Sequence, residues 1–172
     1  MTTVLTGDQR KQLDTTVQKA RGICELAARD ALTSLGVGET HRPAYLDDTQ
    51  NQLRLALRAK ARQLGADVTT RGADLTPLMR DVAYEQWHRL LFARFLERNE
   101  LLRHADFPDT PVTISDCDEL ATAGEVDEPD GWSVAASFAA RLLPGVFRLD
   151  DPAFQVRYAT EHRLALEDLL MS

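Results

Sequence analysis

Lysine is almost missing from this 172-residue chain: arginine supplies all but Lys11, Lys19 and Lys60 of the 20 basic residues. None of the three lysines closes a G-x-x-x-x-G-K phosphate loop or stands in the Glu-x-Lys of a nuclease metal site. Gly36-Val37-Gly38 lacks both the third glycine and the preceding strand of a dinucleotide loop. Cysteine is scarce too. Cys24 and Cys117 stand in unrelated contexts, which excludes a disulfide framework. No apolar run approaches the roughly 20 residues that span a bilayer. The start, Met1 to Asp8, has no basic region followed by an apolar block, so no secretory signal is legible and a cytoplasmic setting fits.

Positive charge is absent from one whole stretch. Residues 105–130 hold nine acidic side chains and no lysine or arginine, which leaves +2 for the rest of a chain of net charge −7. Overall acidity therefore does not exclude a nucleic-acid partner, but +2 is too little to drive DNA binding unaided. Hydrophobic content of 44% is ordinary for a globular chain of this length, and one domain over 1–172 is expected.

What is present is helical periodicity. From Asp8, read as an N-cap, to Leu35 the apolar residues Leu13, Val17, Ala20, Cys24, Ala27 and Ala31 follow three- and four-residue steps. Gly36 and Gly38 end that helix, and Gly22 within it suggests a close helix contact. A second helix begins near Ala44 or Asp47 and stops at Leu64-Gly65. A third, over about 75–103 with Asp74 or Thr76 as cap, carries apolar groups around more than half its circumference and reads as the central, most buried element. The acidic stretch 105–130 reads as mainly breaker-rich loop, with a short helix from Ser115 to Ala121 capped by Ser115. Helices from Trp132 to Leu143 and Thr160 to Leu170 follow, with a turn or short helix between Asp151 and Tyr158. Pro111–Ile114 is the best strand candidate. The expected fold is all-α, an irregular multi-helix bundle around the long third helix.

Catalytic groups are few. His41, His88, His104 and His162 form no H-E-x-x-H and have no cysteine partners at zinc-ligand spacing. His88 reads as a packing group, and His104 as a cation at a helix C-terminus. Cys117, flanked by Asp116 and Asp118, has the wrong electrostatics for an activated thiol, and Cys24 lies on an apolar stripe. The carboxylates of 116–130 lack the calcium-loop pattern and read as a solvated acidic loop. No catalytic, cofactor-binding or metal-binding residue is assigned. Arg54, Arg58 and Arg62 recur every four residues on the second helix and form a basic stripe. That stripe is either a phosphate-contacting surface or the solvated face of an amphipathic helix.

The third helix carries the sequence Ala83-Tyr84-Glu85-Gln86-Trp87-His88-Arg89-Leu90, then Arg94-Phe95-Leu96-Glu97 and Asn99-Glu100-Leu101-Leu102. This stretch of about 20 residues resembles a helical segment near the N-terminus of large adenine-specific DNA methyltransferases. The groups are the PglX-like enzymes of BREX phage-defence systems, their DISARM relatives and type IIG restriction-modification proteins. Their pattern is Ala-Tyr, an aromatic three residues on, Arg-Leu, then Arg, an apolar residue, Leu or Met, and Glu. Here Ala83, Tyr84, Trp87, Arg89, Leu90, Arg94, Phe95, Leu96 and Glu97 match, while His88 replaces the family's usual asparagine. The Asp-Pro-Ala-Cys-Gly-Ser-Gly-like loop that holds S-adenosylmethionine and the Asn-Pro-Pro-Tyr that positions adenine are both missing.

The resemblance therefore implies a non-catalytic N-terminal helical domain of a larger methyltransferase. It binds no cofactor itself, it braces a catalytic domain in cis or in trans, and it contributes basic residues to DNA. The ending Leu169-Leu170-Met171-Ser172, without a polar tail, favours a truncated chain. Arg89, Arg94 and Glu97 are expected to cross-brace helices rather than touch DNA. The competing expectation is a stand-alone helical adaptor for a protein partner. A third, a regulator that mimics DNA through its acidic loop, is disfavoured by the few and breaker-interrupted carboxylates.

Overall fold

The computed structural model describes residues 6–171; residues 1–5, part of the stretch read for a signal, and the terminal Ser172 lie outside the described residues. The all-α expectation holds. Among the described residues seven α-helices follow in order: α1 Gly7–Ser34, α2 Asp48–Gln63, α3 Thr76–Arg98, α4 Ile114–Ala123, α5 Gly131–Leu142, α6 Pro152–Gln155 and α7 Thr160–Met171. Among the described residues β pairing is limited to one isolated bridge between Arg103 and Pro111, so Pro111–Ile114 is no strand. No described helix is long and apolar enough to cross a membrane.

Side-chain caps set the helix starts. Thr6, not Asp8, caps α1: its hydroxyl accepts from the Gln9 amide while the Gln9 side chain accepts from the Thr6 amide. Asp47 and Gln50 form the same reciprocal pair at α2, and Thr113 with Asp116 at α4, displacing the expected cap at Ser115. A threonine one turn before a carboxylate or amide satisfies two orphan amides at once, and this outweighs sequence cues two residues away.

The ends of α1 to α4 share one device. After α1, the Gly36 amide donates to Thr33 O and the Val37 amide to Leu32 O, with Gly36 left-handed at φ 61°. The same pair of bonds recurs at Gly65 and Gly124. At the end of α3 the position falls to Glu100, left-handed at φ 57°, with the Leu101 amide on Leu96 O at 2.7 Å. This turn stops α3 at Arg98, short of the expected 103. A β-carbon in that conformation costs about 1 kcal/mol. Glu100→Gly should accordingly raise the melting temperature by roughly 2–4 °C, measurable by calorimetry; no rise would remove the strain from the account.

The chain divides into two compact units: Met1–Tyr84 with Val156–Ser172, and Glu85–Gln155. In the first, α7 packs on α1. The Tyr158 hydroxyl donates to Cys24 O at 3.3 Å and His162 Nε2 lies 2.9 Å from Asp30 Oδ2. The N-terminal half of α1 is exposed, including Leu13 and Val17, so its apolar stripe enters the core only from Ala20 onward. Gly22 meets nothing within 4 Å and marks no close contact.

In the second unit α4 packs on α5, and the core gathers Ala93, Leu96, Leu102, Cys117, Val134, Ala135, Phe138 and Ala139. The acidic stretch is mainly loop around the short helix α4, as expected, and its apolar residues Val112, Cys117 and Leu120 line one side of this core. The most buried helix is α5, with eight of its 12 residues buried, and not α3. Tyr84, Leu91 and Phe95 of α3 are exposed, at 59%, 42% and 55%, and Trp87 is half-buried. The expectation of a helix buried over most of its circumference is corrected: Leu78, Val82, Leu90, Ala93 and Leu96 suffice for the core, and the opposite arc keeps its apolar residues on the surface.

Candidate functional site

The basic stripe of α2 turns inward. Arg54 is buried, 3% exposed, and its guanidinium donates to three backbone carbonyls of the α1–α2 connection. Nε reaches Gly36 O at 2.9 Å, and Nη2 reaches Glu39 O at 2.7 Å and His41 O at 3.1 Å. Arg58 donates through Nη1 to Val37 O at 2.7 Å and to Glu39 O, and through Nη2 to Val68 O. The connection must leave α1 at Gly36, where Pro43 Cγ would stand 2.5 Å from any Cβ, and it turns its carbonyls toward α2. Two guanidinium forks are the cheapest way to satisfy so many convergent acceptors, since each supplies five donors in a fixed plane.

Burial, and then the neighbouring Arg58 charge, pull the Arg54 pKa below the usual guanidinium value, while Glu39 opposes them. Of the stripe expected to contact phosphates or to face solvent, Arg54 and Arg58 direct their donors to five of the chain's own carbonyls. Arg62 remains exposed.

The motif residues of α3 divide between inward and outward roles. Arg89 donates to Phe154 O at 3.1 Å and to Gln86 Oε1, and its guanidinium carbon lies 4.4 Å from the centre of the Phe154 ring. Gln86, buried at 4% exposure, in turn donates to Ala153 O at 3.1 Å. Gln86 and Arg89, one helical turn apart, together bind α6 to α3. Arg94 pairs with Glu97 at 2.5 Å, both side chains more than four-fifths buried. Arg89 thus ties α3 to α6, whereas Arg94 and Glu97 pair within α3 itself. Gln86 was missed in the sequence; its only signal was a polar residue on the arc shared by Val82, Ala93 and Leu96. Tyr84 and Phe95, by contrast, project from the surface, and Trp87 lies between.

Residues capable of chemistry are spent on packing. His88 meets Phe92 edge-on at 4.9 Å and Phe147 at 5.1 Å between ring centres, a packing role as expected. His104 lies beyond the end of α3, between Phe107 and Phe138, with its Nδ1 accepting from the Asp106 amide at 3.1 Å, and so does not cap a helix. Burial pushes both thiols up to about 12, assisted at Cys24 by Glu25 and at Cys117 by Asp116 and Glu97. Neither is a nucleophile near neutrality. Among the described residues no three His, Cys, Asp or Glu side chains converge as a metal site. An open depression beside Asp8, Lys11, Lys19 and Leu169 has no buried polar side chain aimed into it.

No family model matches the chain, and comparison with curated proteins and with solved structures returned no match.

Proposed function

We propose that this chain is a non-catalytic helical scaffold domain of an adenine-specific DNA methyltransferase of a phage-defence or restriction-modification system. Two things support the reading. One is the resemblance over Ala83–Leu102. The other, which carries it, is that the motif's spaced charges serve as internal braces: Arg89 clamps α6 and Arg94 is locked to Glu97. A motif built this way holds a helix rigid and leaves its outer aromatic residues available to a neighbouring module. In this reading S-adenosylmethionine and the adenine pocket belong to a separate catalytic domain, in cis or in trans. DNA contact, if the domain makes it, falls to Arg62 rather than to the whole stripe. The adaptor reading shares the same exposed residues and differs only in the partner.

The test uses the 172-residue chain and a catalytic domain carrying the Asn-Pro-Pro-Tyr motif, encoded in the same frame or the neighbouring one. Titration calorimetry should show no S-adenosylmethionine binding by the chain alone, and a methylation assay on adenine-containing duplex should be blank. Mixing the two should yield one complex by size exclusion. Cofactor affinity of the isolated chain tighter than about 10 μM (roughly −7 kcal/mol) would overturn the division of labour. Failure to form the complex would leave the adaptor reading.

A further inference from the structure

Asp130–Gly131 is the one aspartate–glycine step in the sequence, and no asparagine–glycine step occurs. Glycine places no side chain beside its own amide nitrogen, so that nitrogen can reach the preceding carboxyl group and close a five-membered ring. A bond forms between Gly131 N and Asp130 Cγ, and a carboxyl oxygen leaves with the amide proton and the carboxyl proton as water. Water then reopens the succinimide. Attack at Cγ restores aspartate. Attack at the Asp130 main-chain carbonyl breaks its bond to Gly131 N and leaves the chain running through Cγ, as isoaspartate. The sequence of steps needs only water.

The fold holds each reacting group away from the others, and every contact involved lies within the unit Glu85–Gln155. Ser133 engages both carboxylate oxygens of Asp130: Oδ1 accepts from its amide at 3.0 Å and Oδ2 from its hydroxyl at 3.1 Å. The Gly131 amide donates instead to Asp118 Oδ1 at 3.2 Å. Ring closure requires Asp130 Cβ and Gly131 N to eclipse about the Cα–C bond, which the extended ψ of 169° does not give. Turning that bond would move Gly131 in a space so tight that a β-carbon there would lie 2.6 Å from Asp118 N. Gly131 and Trp132 are buried and begin α5.

We infer that Asp130–Gly131 is a covalent ageing site, silent in the folded protein and converted to isoaspartate when the α4–α5 contact opens. The inference is independent of the methyltransferase reading. Isoaspartate adds a carbon to the main chain and shortens the carboxylate that caps α5. Ser133 then loses its acceptor, and Gly131 no longer fits against Asp118. A molecule converted while open does not regain the native contact.

The test incubates the full chain at neutral pH and physiological temperature, folded and in urea above its unfolding transition. Electron-transfer fragmentation of the tryptic peptide His104–Arg141 locates and quantifies isoaspartate. Conversion at Asp130 should be at least about tenfold slower in the folded chain, because only the open fraction reacts. In urea below the transition it should rise in step with hydrogen exchange of the Val134 amide, which donates to Asp130 O at 3.0 Å. Asp118→Ala combined with Ser133→Ala loosens both reacting groups. It should speed conversion in the folded chain at least about threefold, with no effect in the unfolded one. Circular dichroism checks that this variant is folded; if it is not, the urea series on the parent chain decides. Equal rates in folded and unfolded chains overturn the inference. So does a rate that ignores the exchange of Val134, or a folded variant that converts no faster than the parent.

Discussion

Truncation of Arg54 to alanine should destabilise the protein by about 3 kcal/mol, because charge-assisted hydrogen bonds are lost and buried carbonyls are left without donors. The three acceptors are Gly36 O, Glu39 O and His41 O, all in the connection that leaves α1. Water has poor access to a site where Arg54 itself is 3% exposed, so the carbonyls are not re-solvated when the guanidinium goes. Urea denaturation would measure the loss, and Arg62→Ala, on the same helix but exposed, should stay within about 0.5 kcal/mol as a control. Arg54→Lys should recover only part of the stability, since an ammonium is a point donor and the carbonyls are spaced for a planar fork. The result also separates two readings of the stripe. A phosphate-contacting arginine would be nearly silent in stability and would reduce DNA affinity. A change below about 1 kcal/mol for Arg54→Ala would restore the DNA reading.

Gly131→Ala should cost a similar amount, about 2–3 kcal/mol, through forced separation of α4 and α5. A β-carbon on Gly131 would stand 2.6 Å from Asp118 N, 2.7 Å from its Cα and 2.8 Å from its Cβ, and backbone of a neighbouring helix does not yield as a side chain does. The same approach lets the Gly131 amide donate to Asp118 Oδ1 at 3.2 Å, and any displacement lengthens that bond. The sign of the effect is diagnostic. Alanine in a helix is ordinarily worth up to about 1 kcal/mol over glycine, and Gly22→Ala in α1, with nothing within 4 Å of the new carbon, should show that ordinary gain. If Gly131→Ala also stabilises the protein, the two helices are not held at this separation. Spreading them would loosen the core around Cys117, Val134 and Phe138, which thiol reactivity of the buried Cys117 would report.

Local chemistry explains which features were legible in the sequence. The existence and order of the helices followed from periodicity, and Asp47, Gly36, Gly65 and Thr160 marked boundaries that the structure keeps. Caps and left-handed stops act within four residues, so the sequence that encodes them lies in view. Where two local signals competed, as with Thr6 against Asp8 or Thr113 against Ser115, the reciprocal pair with the residue three positions on prevailed. The α3 stop at Glu100 was hidden, because a non-glycine residue takes a conformation that the sequence gives no reason to expect.

Of the candidate site, the bracing role of Arg89, Arg94 and Glu97 could be anticipated from spacing and amphipathic character, whereas the carbonyl partners could not. Arg54 and Arg58 recur at four-residue intervals whether they face solvent or a turn of backbone, and periodicity is identical in both cases. Only the path of residues 36–41 across α2, 13 to 18 positions away from Arg54 in sequence, decides between them. The acidic stretch is mainly loop with one short helix, as its breakers indicated, but its small apolar minority, Val112, Cys117 and Leu120, finds a core only once α5 is folded against it.

By itself the sequence determined that the chain is helical, where most of its helices start and stop, and that its thiols and histidines form no recognisable catalytic or metal motif. Tertiary structure alone decided that Arg54 and Arg58 of α2 look inward, that α5 rather than α3 is the most buried helix, and that Tyr84, Leu91 and Phe95 remain at the surface. The physical reason is one of range. Hydrogen bonds within a turn are written in neighbouring residues, whereas which side of an amphipathic helix finds a partner depends on segments distant in sequence, which periodicity does not report.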